Sequence, residues 1–300
     1  MRASLQILSA FIVALVAWPG ALAAQQPAPP SGKKVLVLTH AALTKHASVP
    51  VAEKILPEMA KQGGFEVVIR NDGRESIGPP AAGESDKWDM SFLTAEYLKQ
   101  FDAVLMFTNG NLPLKPDQKK ALTEFVRSGK GIAGVHCATV TMYDYPEYGE
   151  LMGGYYQRSI ITTDRDPKRF ATLKVENPNH PATKMLGASW PFVEEYYLFG
   201  QKVYDPATPK ENVSAVGSLP IPMAFSRSRV KVLLSIDTER TDLTGLPIQK
   251  GGDYPQSWHR EYGKGRSFYT ALGHKPESWH NPVFQAHLIG GLRYALGLEH

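Results

Sequence analysis

The chain has 300 residues, 43% of them hydrophobic and 21% charged, with a formal net charge of +4. That balance supports a buried core and argues against a disordered chain. The basic residues are scattered, in short pairs such as Lys33-Lys34 and Lys119-Lys120, and form no stripe interleaved with aromatics, so no nucleic-acid partner is expected. Cys137 is the single cysteine. It leaves no intrachain disulfide and no thiolate-built zinc site, so any metal must be held by histidine and carboxylate.

Arg2 followed by the apolar run 5–18, the helix-breaking Pro19-Gly20 and the small residues 21–24 reads as a cleavable signal peptide. The run is shorter than the ~20 residues a membrane span needs. A periplasmic or secreted protein without stable membrane insertion is therefore expected. Residues 25–32 are Pro-rich and read as a linker with nothing to bury. Residues 33–298 are expected to form one α/β domain.

Residues 33–39 are a continuous apolar run, the pattern of a strand buried on both faces. Val51, Ile55 and Met59 predict an amphipathic helix over 48–61, stopping near Gly63-Gly64. A strand at 65–69 follows, then a polar, Gly/Pro-rich loop over 71–90. Strand 103–107 ends at Thr108-Asn109-Gly110. Pro116 then opens a helix that stops at Gly129, and strand 131–135 ends at His136. Further strands are expected at 171–175, 213–217, 230–236 and 265–271, with a closing helix over 282–296. This alternation predicts a doubly wound, mostly parallel sheet with helices on both faces.

Ligands of such sheets bind at the carboxyl ends of the strands. His40, Asn109, His136 and His274 all follow predicted strands. In Gly134-Val135-His136-Cys137-Ala138 the exposed position of a strand-to-helix elbow falls on His136. Cys137 lies one register off and reads as a small buried hydrophobe. His180 precedes a proline, which favours extended backbone and can aim the ring into a cleft. Glu194 and Glu195 alternate sides on an extended segment, so at most one faces a site. Tyr143, Tyr145, Tyr148, Tyr155 and Tyr156 are candidate stacking surfaces for sugar rings.

The same segments resemble the trehalose-utilisation (ThuA-like) family. Residues 134–139 are similar to its Gly-x-His-Ser-Ala-Thr element, with Cys137 in place of the serine. Residues 151–156 resemble its Gly-Gly-x-Phe segment, but Arg158-Ser159 stands where the family often has His-Pro. His180-Pro181 resembles its His-Pro-x-Thr motif, and Glu194-Glu195-Tyr196 its Asp-Glu-x-Tyr. Residues 258–274 resemble its Tyr-Gly-x-Gly-Arg-x-Phe-Tyr-x-x-Leu-Gly-His signature. The resemblance implies a flavodoxin-like, class I glutamine amidotransferase-like fold without the catalytic cysteine, and a link to trehalose, related disaccharides and 3-keto sugars.

The expectation is an enzyme that isomerises, eliminates from or hydrolyses a small-molecule sugar. His136, His274 and Glu195 are its catalytic candidates. A zinc-like divalent ion would be held by His136, His180 and His274, with no nucleotide cofactor. His40, Asn109, Tyr155, Trp258 and Arg266 are the candidate substrate contacts. The alternatives are a non-catalytic sugar-binding module and a Cys137 hydrolase or amidotransferase-like enzyme.

Overall fold

The computed structural model describes residues 27–162 and 168–299. The segment expected to be a signal peptide lies outside the described residues. Among those described, no helix is long and apolar enough to cross a membrane.

The apolar run predicted as the first strand forms β1 (Lys34–Leu38), with Val35 to Leu38 fully buried. Helix α1 (Ser48–Gly63) ends where Gly64 takes a left-handed φ of 74° and returns its N–H to the carbonyls of Ala60 and Lys61. Its buried face is Val49, Ala52, Leu56 and Met59, offset from the Val51–Ile55–Met59 stripe, whose first two members are half-buried. β2 (Glu66–Arg70) lies beside β1. Short α2 (Ala95–Leu98) leads into β3 (Ala103–Met106), then α3 (Pro116–Arg127) with Pro116 in its first turn, then β4 (Gly131–Val135). A 3-10 turn over His136–Val140 and α4 (Pro146–Met152) follow.

The second half is strand-rich: β5 (Tyr156–Ile161), β6 (Ala171–Val175), β7 (Ser189–Phe192), β8 (Tyr196–Phe199), β9 (Lys231–Ile236), β10 (Pro255–Tyr262) and β11 (Gly265–Thr270). Four-residue α5 (Pro276–Trp279) precedes α6 (Pro282–Ala295), whose Asn281 side chain caps the amides of Val283 and Phe284.

The main sheet has nine strands in the order β2-β1-β3-β4-β11-β10-β9-β6-β7. The five from β2 to β11 are parallel neighbours, and from β11 onward each pair is antiparallel. β5 and β8 form a separate antiparallel pair. The α/β class agrees with the sequence expectation. The expected strand at 213–217 is instead an irregular loop, closed by a single bridge between Val213 and Pro220. The Pro-rich segment is also tied down, since Ala28 and Ser31 donate their amides to the carbonyls of Gln62 and Gly64.

Three loops meet above the carboxyl ends of β1, β3, β4 and β11. Asn109 holds the one after β1: its Oδ1 accepts from Leu43 and Thr44, and its Nδ2 donates to the Thr44 carbonyl. Asp72 joins that loop to the 71–78 segment through Lys45 Nζ at 3.0 Å, the Arg74 amide at 3.0 Å and Arg74 Nε at 3.3 Å. Arg74 in turn donates to the carbonyls of Ala41 and Gly78.

Candidate metal centre and substrate cavity

β4 runs straight into His136, which is fully buried with φ of +49°, a conformation rare for a residue with a Cβ. Strain of this kind persists where the surroundings impose it, and it gathers at functional sites. The strand-to-turn elbow thus falls on His136 and not on its neighbour. His136 Nδ1 is 2.9 Å from the carbonyl oxygen of Ala271, which can only accept, so Nδ1 carries the proton. Nε2 keeps its lone pair. That lone pair faces the Tyr197 hydroxyl at 2.8 Å, His274 Nδ1 at 3.1 Å and Glu195 Oε2 at 3.4 Å.

His274 follows β11 through Gly273, whose φ is +113°. A Cβ at Gly273 would stand 2.8 Å from Val135 Cγ1, so only glycine fits this turn against β4. His274 Nδ1 is 3.1 Å from Glu195 Oε2. His46 completes the group from the loop after β1. Its ring centroid is 5.0 Å from that of His136 and 4.8 Å from that of His274.

The acidic pair divides as the alternation requires. Glu195 turns to the histidines, and Ser159 donates to its Oε1 at 2.7 Å, leaving Oε2 toward the rings. Glu194 is fully buried on the other side. Its Oε1 accepts from the amides of Gly273 and Lys275, both at 3.1 Å, and from the Ser278 hydroxyl at 2.7 Å, while Oε2 accepts from the Glu195 amide. Burial pushes the Glu194 carboxyl up to about 7, against the pull of these four bonds. It clamps the turn that presents His274.

Burial also sets the protonation of the rings. It lowers His46 to about 3, and it holds His136 well below its ordinary value, with His274 and His46 adding to the effect. Both are neutral imidazoles at pH 7, the state a metal requires of its ligands. One ligand atom from each of His46, His136 and His274 lies within 4.8 Å of the other two. A tetrahedron built on zinc–nitrogen bonds of about 2.0–2.1 Å has edges of about 3.3–3.4 Å. The 3.1 Å His136–His274 separation is close to that edge. An Nδ1–H bonded to a backbone carbonyl is likewise the outer-shell partner usual for a ligating histidine. The donor set fits a divalent ion.

These groups open into a cavity of about 620 Å³, lined on its polar side by His46, Asn109, Glu195, Tyr197 and His274. Cys137 also borders it, but the residue is 2% exposed, and burial pushes its thiol up to about 12. A nucleophilic thiolate is not available there.

Of the residues singled out from the sequence, His274, Glu195, Asn109, Tyr156 and Cys137 line this cavity, and His136 lies directly behind His274 and Glu195. His180, His40, Trp258, Tyr155 and Arg266 do not. His180 was expected as a ligand but packs on His259 and Tyr294, with ring centroids 4.3 and 4.7 Å away. Its Nδ1 accepts the Ala182 amide, so the proton sits on Nε2 and neither nitrogen has a lone pair to give a metal. His40 is buried against Trp88 and Phe92, and burial lowers it to about 4. Trp258 is fully buried and donates to the Met152 carbonyl, so it cannot stack on a ligand. Tyr155 is fully buried too, its hydroxyl spent on Met142, Tyr145 and Gly149. Arg266 stands at the start of β11, at the opposite end of that strand from His274, against Tyr294 and the carbonyl of Glu299.

Sequence reasoning assigns no role to two site residues, His46 and Tyr197. His46 lies six positions beyond His40 in the same strand-end loop. Tyr197 follows Glu195 by two positions on an extended segment, and that spacing placed it on the same side.

A family model described as trehalose utilisation (ThuA) matches residues 34–295. A ThuA-like protein from Bacteroides uniformis ATCC 8492 superposes with a TM-score of 0.59 at 20% identity, over 93% of this chain and 95% of that one. One from Parabacteroides merdae ATCC 43184 gives 0.56 at 17% identity, over 88% and 90%. A cytoplasmic protein of Salmonella typhimurium LT2 gives 0.53 at 13% identity, over 87% and 99%. The chain shares the class I glutamine amidotransferase-like α/β fold of its ThuA-like neighbours. No curated protein matches it.

Proposed function

The chain belongs to the trehalose-utilisation (ThuA) family, and from that premise we propose that it is an exported, metal-dependent enzyme of carbohydrate metabolism. Its substrate would be a glycoside or keto-glycoside, changed by isomerisation, elimination or hydrolysis. The observation that supports this most is the meeting of His46, His136, His274 and Glu195 from four separate segments of the chain, three of them lining one cavity with His136 directly behind. Export rests on the N-terminal sequence pattern alone.

In this reading His46, His136 and His274 would hold a zinc-like ion, which would supply Lewis-acid polarisation of a sugar carbonyl or hydroxyl. Glu195 Oε2 is the proton acceptor, with Ser159 fixing the other oxygen so that the carboxylate does not swing. A ketone acidifies the neighbouring C–H, which suits removal of that proton by a carboxylate. The Tyr197 hydroxyl, 2.8 Å from His136 Nε2, supplies a neutral donor, and burial holds its proton on well above the ordinary range.

The test is turnover of a panel of disaccharides, glucosides and 3-keto-glucosides by the zinc-supplied protein, wild type beside Glu195→Gln. The expected result is turnover of at least one compound and a loss of about 10²–10⁴-fold in kcat in the variant, with metal retained. Saturable sugar binding without turnover would favour the binding-module alternative. Equal rates in both proteins would remove Glu195 from the chemistry.

A further inference from the structure

The cavity lining is mixed. Beside its histidines, Glu195, Lys45 and Lys275, it carries Leu43, Ile77, Val140, Val216 and Pro276, contributed by four loops and the 3-10 turn, or by the elements they border. Among the described residues, five large hydrophobic side chains are exposed, and two of them, Ile77 at 50% and Val216 at 36%, line this one cavity. They are not chance neighbours. The Asp72–Lys45–Arg74 network fixes the Ile77 segment against the His46 loop, and a bridge between Lys45 and Gly78 closes it. The Val216 loop packs on the same wall, since a Cβ at Gly217 would lie 3.2 Å from Leu43 Cδ2.

Polarity therefore changes with depth. His136 is fully buried, the Glu195 and His274 side chains are 13% and 18% exposed, and the outermost groups are aliphatic. A cavity built for a free sugar would meet hydroxyls at its mouth as well as its floor. Apolar side chains held in water at a mouth mark the part of the ligand that rests on them. The volume of about 620 Å³ also leaves room beyond one sugar ring.

Resting on the carbohydrate reading above, we infer that the substrate is a glycoside with an apolar aglycone: the sugar lies on the histidine and glutamate side, and an aromatic or alkyl group lies against Leu43, Ile77 and Val216.

The experiment is calorimetric binding of methyl glucoside, 4-nitrophenyl glucoside (both anomers of each) and free 4-nitrophenol to the zinc-supplied protein. The Ile77→Ser/Val216→Ser double variant is run beside wild type. Both positions are exposed, so the fold should tolerate the change, and circular dichroism checks it. The inference predicts that one nitrophenyl anomer binds about 10-fold or more tighter than its methyl counterpart, and that the double variant erases the preference while leaving methyl glucoside unchanged. Equal binding of methyl and nitrophenyl glucosides, or equal weakening of both in the variant, overturns it and leaves the carbohydrate reading standing. Nitrophenol binding as tightly as its glucoside would sink the carbohydrate reading itself, and the inference with it; binding of no glucoside at all overturns the inference and leaves the keto-glycoside reading to the turnover panel above.

Discussion

His136 Nε2 and His274 Nδ1 lie 3.1 Å apart although 138 positions separate them in the chain. Parallel pairing of β4 with β11 makes this possible, because it aligns Val135 with Thr270 and sends both strands out at the same edge. The site is a product of that register.

Glu194→Gln should loosen the turn bearing His274. The amide keeps one acceptor oxygen but puts an NH₂ where a carboxylate oxygen now accepts, so at least one buried amide or hydroxyl of Gly273, Lys275, Ser278 or Glu195 loses its partner. The expected loss is about 1–3 kcal/mol in denaturant unfolding. A fall of about 10–100-fold in zinc affinity should accompany it. Full zinc affinity in a folded variant would show that the clamp does not position His274.

Acid should weaken the loop network around Asp72. Burial alone would raise this carboxyl, but the Arg74 amide and the Lys45 ammonium outweigh it and hold it below the ordinary carboxylate value. A depressed folded-state pKa contributes stability above the unfolded value, near 3.9, and that contribution is lost as pH falls through the folded value. Asp72→Asn should therefore cost about 3–5 kcal/mol at pH 7 by stranding Lys45, whose side chain is 3% exposed. The gap between variant and wild type should shrink below pH 4. Chemical denaturation across pH 2.5–7 reads it, and a gap independent of pH would contradict the assignment.

Cys137 should behave as packing. Its thiol should react with Ellman's reagent at pH 8 only after denaturant is added, and Cys137→Ala should retain turnover within a few fold. Rapid labelling of the native protein, with loss of turnover in proportion, would revive the hydrolase alternative.

The parallel half of the sheet was legible because its strands are short apolar runs, punctuated by glycine and proline and joined by helices with clear stop signals. The antiparallel strands were harder. β7 of the main sheet and β8 of the separate pair have four residues each, and β10 meets β9 with register shifts at Pro255–Ser257 and Ser257–Trp258, so no alternation survives to be read. At the site, His136 and His274 were visible because one directly follows β4 and the other follows β11 within four residues. Motif membership misled at Trp258, Tyr155 and Arg266, where the residue type serves packing or a backbone hydrogen bond far from the cavity. It misled at His180 because a sequence does not say which ring nitrogen is already engaged.

The central claim is that three histidines hold a metal, and metal content tests it most directly. The mature protein should be stripped with chelator, reloaded with zinc, desalted and analysed by mass spectrometry, beside His46→Ala, His136→Ala, His274→Ala and His180→Ala. About one zinc per chain is expected in wild type and in His180→Ala, with most of it lost in each of the other three. No zinc in folded wild type, or full retention in His136→Ala, would contradict it.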